Sequence, residues 1–152
     1  MFRRFFAAML VSILFVSAGS AWAFDEINKS YLGDLAVDGY DSVAYFNTKK
    51  PAEGQGDFTA DWKGATWRFA NAESRDLFLE SPESYAPQYG GYCSNQMSLG
   101  NLSDIDPGVW LIFEGKLYLF GHDVGRDRWE ETGIAARIQD ADKNWQQYLA
   151  KK

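Results

Sequence analysis

The chain has 152 residues, 15 basic against 21 acidic, with a formal charge of −6, 16% aromatic residues and a single cysteine. That length suits one domain with its own core, and the acidic balance excludes nucleic acid and anionic membrane as partners, because either requires a basic face. One thiol cannot build an intramolecular disulfide framework.

Residues 1–23, MFRRFFAAMLVSILFVSAGSAWA, have the three parts of a secretory signal. Arg3 and Arg4 are the charged region, Phe5 to Val16 the apolar run, and Ala21-Trp22-Ala23 the cleavage site. The apolar run is short for a bilayer span, so cleavage after Ala23 is expected to leave about 129 residues. These carry 13 basic and 21 acidic residues, a charge of about −8. The expected product has no stable membrane insertion and resides in the periplasm or outside the cell. Residues 24–31 read as a short polar lead and residues 32–150 as the domain.

LAVDGYDSVAYF, from Leu35 to Phe46, predicts two extended stretches around a tight turn at Asp38-Gly39. NTKKPAEGQGD is a loop. FTADWKGATWRF, Phe58 to Phe69, predicts a hairpin turning at Lys63-Gly64, with Trp62, Trp67 and Phe69 available for a core. Asn71 is placed to cap a helix over residues 72–80 that ends before Pro82 and turns Leu77 and Phe78 inward. Asp104 and Asp106 have the spacing of a calcium loop without its glycine and distal glutamate, and read as a solvated turn. VWLIFEGKLYLF, Val109 to Phe120, predicts the central β-hairpin, apolar on both faces and therefore buried on both sides. Ile134, Ile138, Ala141, Trp145 and Tyr148 define an amphipathic C-terminal helix.

The focal stretch is SYAPQYGGYCSNQMSLG, Ser84 to Gly100. A helix starting near Gly91 would put Cys93, Gln96 and Met97 on one face and the thiol in the first turn, where unpaired N–H groups favour a thiolate. Tyr85, Tyr89 and Tyr92, with Gly90 and Gly91, would then wall a ligand pocket beside it. The bland reading is that Cys93 is a small buried hydrophobe.

WKGATWRFANAESRDLFLESPESY resembles the YHS domain through Trp62, Lys63, Gly64, Phe69, Phe78, Pro82, Glu83 and Tyr85. Together with GYDSVAYF, YAPQYGGYC, DPGVW and GKLYLF, nearly the whole exported chain is similar to the exported single-domain YHS (seleno)protein family. The resemblance implies a compact α+β domain. It does not carry a metal site across, because Ala70 and Ser74 stand where the YHS domains of copper-transporting ATPases have their two cysteines, and Thr59 and Ala60 replace the histidine and serine of the naming signature.

Three functional readings follow. In the leading one Cys93, Met97 and His122 hold a soft metal ion such as copper as Cu(I), since thiolate and thioether ligands select soft cations. In the second, Cys93 is a redox thiol whose partner is a small thiol or another protein, there being no resolving cysteine. In the third, the aromatic residues form a pocket for a small organic ligand or a protein surface. With His122 the single histidine and no nucleophile motif, the chain reads as a binding protein rather than an enzyme, and no catalytic residue is assigned.

Overall fold

The computed structural model describes residues 24–31 and 33–152 of the protein, so the expected signal segment lies outside the described residues. The fold is α+β. Its elements are α1 (Ala44–Asn47), β1 (Gln55–Trp62), β2 (Ala65–Phe69), α2 (Ala72–Glu80), α3 (Pro82–Tyr85), α4 (Ser94–Ser98), β3 (Asp106–Phe113), β4 (Lys116–Phe120), α5 (Asp123–Thr132) and α6 (Ile134–Leu149). Among the described residues no helix is long and apolar enough to cross a membrane.

Two antiparallel hairpins, β1–β2 and β3–β4, form separate two-stranded sheets. Each closes through a two-residue turn with both φ angles positive: 50° and 75° at Lys63-Gly64, 48° and 74° at Glu114-Gly115. That backbone matches the twist of paired strands, and glycine supplies the second position without a Cβ penalty. Both turns fall where the sequence puts them.

Strand alternation sorts the side chains between two cores. From β2, Trp67 and Phe69 enter the first core, where the Trp67 ring lies 4.8 Å and the Phe69 ring 5.1 Å from that of Phe78 of α2. From β4, Leu117 and Leu119 enter the same core while Tyr118 and Phe120 enter a second one, against Trp129 of α5 and Met97 of α4. Burial on both faces is thus met by β4; in β3 Val109 is the one buried residue. Helix α6 follows its apolar spacing, with Ala141 fully buried and Ile134, Ile138, Trp145 and Tyr148 packed on the second core. Helix α2 has the expected cap, the Asn71 side chain accepting from the Ser74 N–H at 2.9 Å.

Two segments differ from the sequence reading. Residues 44–47 are helical rather than extended, because the fully buried Asp41 carboxylate accepts from the Val43 and Ala44 N–H groups at 2.9 and 3.3 Å. Its second oxygen accepts from the Ala70 N–H at 3.0 Å, tying this turn to the β2–α2 junction. A cap of this kind outweighs the strand propensity of a Val-Ala-Tyr-Phe run. Helix α5 was hidden because Val124 is exposed and the inward positions are Gly125 and Trp129, too sparse an apolar pattern to register.

Residues 24–31 are packed against the domain. Ile27 is buried in the first core, the Asn28 N–H donates to the Gly90 carbonyl at 2.8 Å, and Phe24 lies edge-on to Trp145 at 5.7 Å.

Replacing Asp41 with Ala removes the acceptor of the Val43 and Ala70 N–H groups, while the Ala44 N–H keeps the Asp41 backbone carbonyl at 3.2 Å, and should cost about 2–4 kcal/mol in urea unfolding. Asp41→Asn, which retains one acceptor oxygen, should cost less; equal stability of Asp41→Ala and the parent would refute the role.

Candidate functional site

The chain reaches Cys93 through a tight turn at Gln88–Gly91, where Tyr89, Gly90 and Gly91 take φ values of 57°, 62° and 82°. The helix therefore does not begin near Gly91. Helix α4 starts at Ser94 and has five residues, and Cys93 is the extended residue before it (φ −57°, ψ 114°). Left-handed backbone at three successive residues cannot continue into a right-handed helix, and this shifts the thiol out of the first turn.

Cys93 is 3% exposed and lies in the second core, its Sγ accepting from the Gly121 N–H at 3.3 Å. Met97 is fully buried in the same core, its N–H bonded to the Cys93 carbonyl at 2.9 Å. His122 is exposed and caps α5, with Nδ1 accepting from the Gly125 N–H at 3.2 Å. The thiol and thioether thus pack inside while the imidazole serves a helix terminus. Among the described residues no group of three or more His, Cys, Asp or Glu is arranged to hold a metal ion.

The tyrosines divide. Tyr85 sits at the first core, edge-on to Phe46 at 5.5 Å, away from Cys93's core. Tyr89 is buried and donates to Asp142 Oδ1 at 2.9 Å; burial and then the Asp142 charge push its phenol far above the ordinary range. Tyr118 is pushed up to about 12, by burial first and the Asp142 charge second. Tyr92 donates to the Asp25 carbonyl at 2.9 Å.

The glycine pair receives the N-terminal segment. A Cβ on Gly90 would lie 1.8 Å from the Glu26 carbonyl oxygen. The Asn28 side-chain amide donates to the Gly91 carbonyl at 3.3 Å.

Beside this crossing a cleft of about 340 Å³ opens, walled by Trp62, Tyr89 and Trp145. Its charged residues are Glu26, Lys63, Glu83 and Lys116. Glu26 bridges Lys63 at 2.9 Å and Lys152 at 2.6 Å, and these two ammonium groups hold its carboxyl below the usual value near 4.5. The Lys63 Nζ also stands 4.6 Å from the centre of the Trp62 ring. Of the expected pocket residues, Tyr89 and Gly90 line this cleft. The sequence missed the others because they come from distant segments: Trp62 and Lys63 from one hairpin tip, Lys116 from the other, Glu83 from α3, Trp145 from α6. The available signal was that both hairpin turns carry a lysine at or beside them.

No protein-family model, curated protein or solved structure matches the chain.

Gly90→Ala should lower the unfolding midpoint and free residues 24–28 for proteolysis, since both the φ angle and the Glu26 backbone oppose a side chain. A variant as stable and as resistant as the parent would count against the packed lead. The lowered Glu26 pKa means its ion pairs contribute above pH 4.5 and are lost as pH falls through the lower folded value. In Glu26→Gln that acid-side loss should shrink, most visibly at low salt. An unchanged pH profile would show that the bridge contributes nothing.

Proposed function

We propose that the protein is an exported, single-domain binding module of the YHS type that takes a small organic ligand in the cleft between Trp62 and Trp145. The β1–β2 hairpin turning at Lys63-Gly64, the α2 helix seating Phe78, and Pro82–Tyr85 as α3 pack as one unit. This supports the family resemblance, and export rests on the signal-like segment 1–23.

The observation that carries the reading is the cleft itself. Two half-buried indoles face a concavity at the small end of the range for ligand pockets, roughly 300–1,000 Å³, with charged groups of both signs around it. The cleft is more polar than the usual ligand site, so a ligand there would meet charged groups as well as indoles. Cys93, enclosed in the second core, offers a ligand no comparable opening.

A second reading keeps Cys93 as the site, as a soft-metal or small-thiol binder. One observation favours it: Ser94 Oγ and Asn95 Oδ1, on the two residues after Cys93, are buried without a hydrogen-bond partner, and such groups call for a water or another polar guest. Under this reading the parent withdraws Cu(I) from a competing chelator and Cys93→Ala does not.

Nitrogen-15 spectra separate the two. When the protein is screened with small planar acids and amines, the indole N–H signals of Trp62 and Trp145 should shift together and saturably, with that of core-buried Trp129 unmoved. Shifts confined to the backbone around Cys93 and Gly121, or none, would contradict the cleft reading.

A further inference from the structure

We infer that the ligand of this cleft is a zwitterion with a planar apolar group, the chemistry of a free aromatic amino acid. The inference rests on the cleft reading and goes on from it to the charges that the fold leaves unmatched. Glu26, Lys63 and Lys152 each have an ion-pair partner, the one carboxylate shared between the two ammonium groups through contacts of 2.9 and 2.6 Å. Glu83 and Lys116 do not. Both line the cleft, on α3 and at the start of β4, two elements that pack together. Among the described residues neither forms an ion pair or a side-chain hydrogen bond, with the other or with any third group. One carboxylate and one ammonium are therefore held at the same cleft, apart and free.

A ligand bearing an ammonium and a carboxylate can answer both charges at once. A ligand with one charge answers one of them and places its apolar part against the other, and such mismatches are how a site rejects near-analogues. The indoles of Trp62 and Trp145 set the remaining requirement. Flat apolar walls favour a flat apolar group, and the ring stacking available there adds to its burial. About 340 Å³ admits one such molecule rather than a long peptide.

Calorimetric titration of the purified protein with L-phenylalanine, 3-phenylpropionate and 2-phenylethylamine tests this. These share the ring and differ in which charges they carry. The zwitterion should bind at least about tenfold more tightly than either analogue. Glu83→Gln should abolish its advantage over 3-phenylpropionate, and Lys116→Gln its advantage over 2-phenylethylamine. Both replaced side chains are exposed, so the fold is retained. Equal or tighter binding of a singly charged analogue overturns the zwitterion assignment and leaves the cleft as the site. Absence of binding by all three, or binding that survives Trp145→Ala unchanged, removes the cleft reading as well.

Discussion

The structure depends on β4 being buried on both faces. A two-stranded hairpin is marginal alone in water, and this fold contains two of them that do not pair with each other. What makes them stable is that Leu117 and Leu119 complete one core while Tyr118 and Phe120 complete the other, at exposures between 0% and 2%. Each such side chain is worth about 1.5–3 kcal/mol when fully buried. A one-residue slip in the β3–β4 register would exchange the two sets, putting a phenol and a benzyl group where the aliphatic residues fit. The register fixes the rest of the site region: it brings Lys116 to the cleft and, at the strand's other end, presents the Gly121 N–H to Cys93.

The N-terminal segment is the second constraint. It runs over the Gln88–Gly91 turn, donates to two glycine carbonyls, and ends with Phe24 against the Trp145 and Tyr148 rings of α6. Glu26 then reaches Lys63 at a hairpin tip and Lys152 at the end of the chain. Segments far apart in sequence thereby share one carboxylate, and the cleft lies where they meet. The left-handed turn at Tyr89, Gly90 and Gly91 has its physical reason here, in the room it makes for another backbone.

The parts of this that were legible in the sequence are those governed by local rules. Lys63-Gly64 and Glu114-Gly115 mark turns because their backbone needs positive φ, Asn71 marks a cap, and the spacing from Ile134 to Tyr148 marks a helical face. The misread parts were decided by contacts at long range. Asp41 turns the next residues into a helix while bonding a backbone amide 29 positions away, and no local pattern announces that. The burial of Cys93 has a related origin. Cys93 drew attention as the one thiol, whereas whether it faces solvent depended on β4, α5 and α6 closing over it. The cleft combines five separate segments, each unremarkable when read alone.

Cys93 packs in the second core, and the aromatic cleft is the site we propose for a ligand. The most direct measurement is the rate at which Cys93 reacts with a small aromatic disulfide as urea is raised through the native range. If the thiol is a core residue, labelling requires opening of the α4–α5–α6 region, and the free energy of that opening should approach that of global unfolding and fall with urea along a similar slope. Fast labelling that does not depend on urea would mean that the sulfur is open to solvent in the native protein, and would contradict the account.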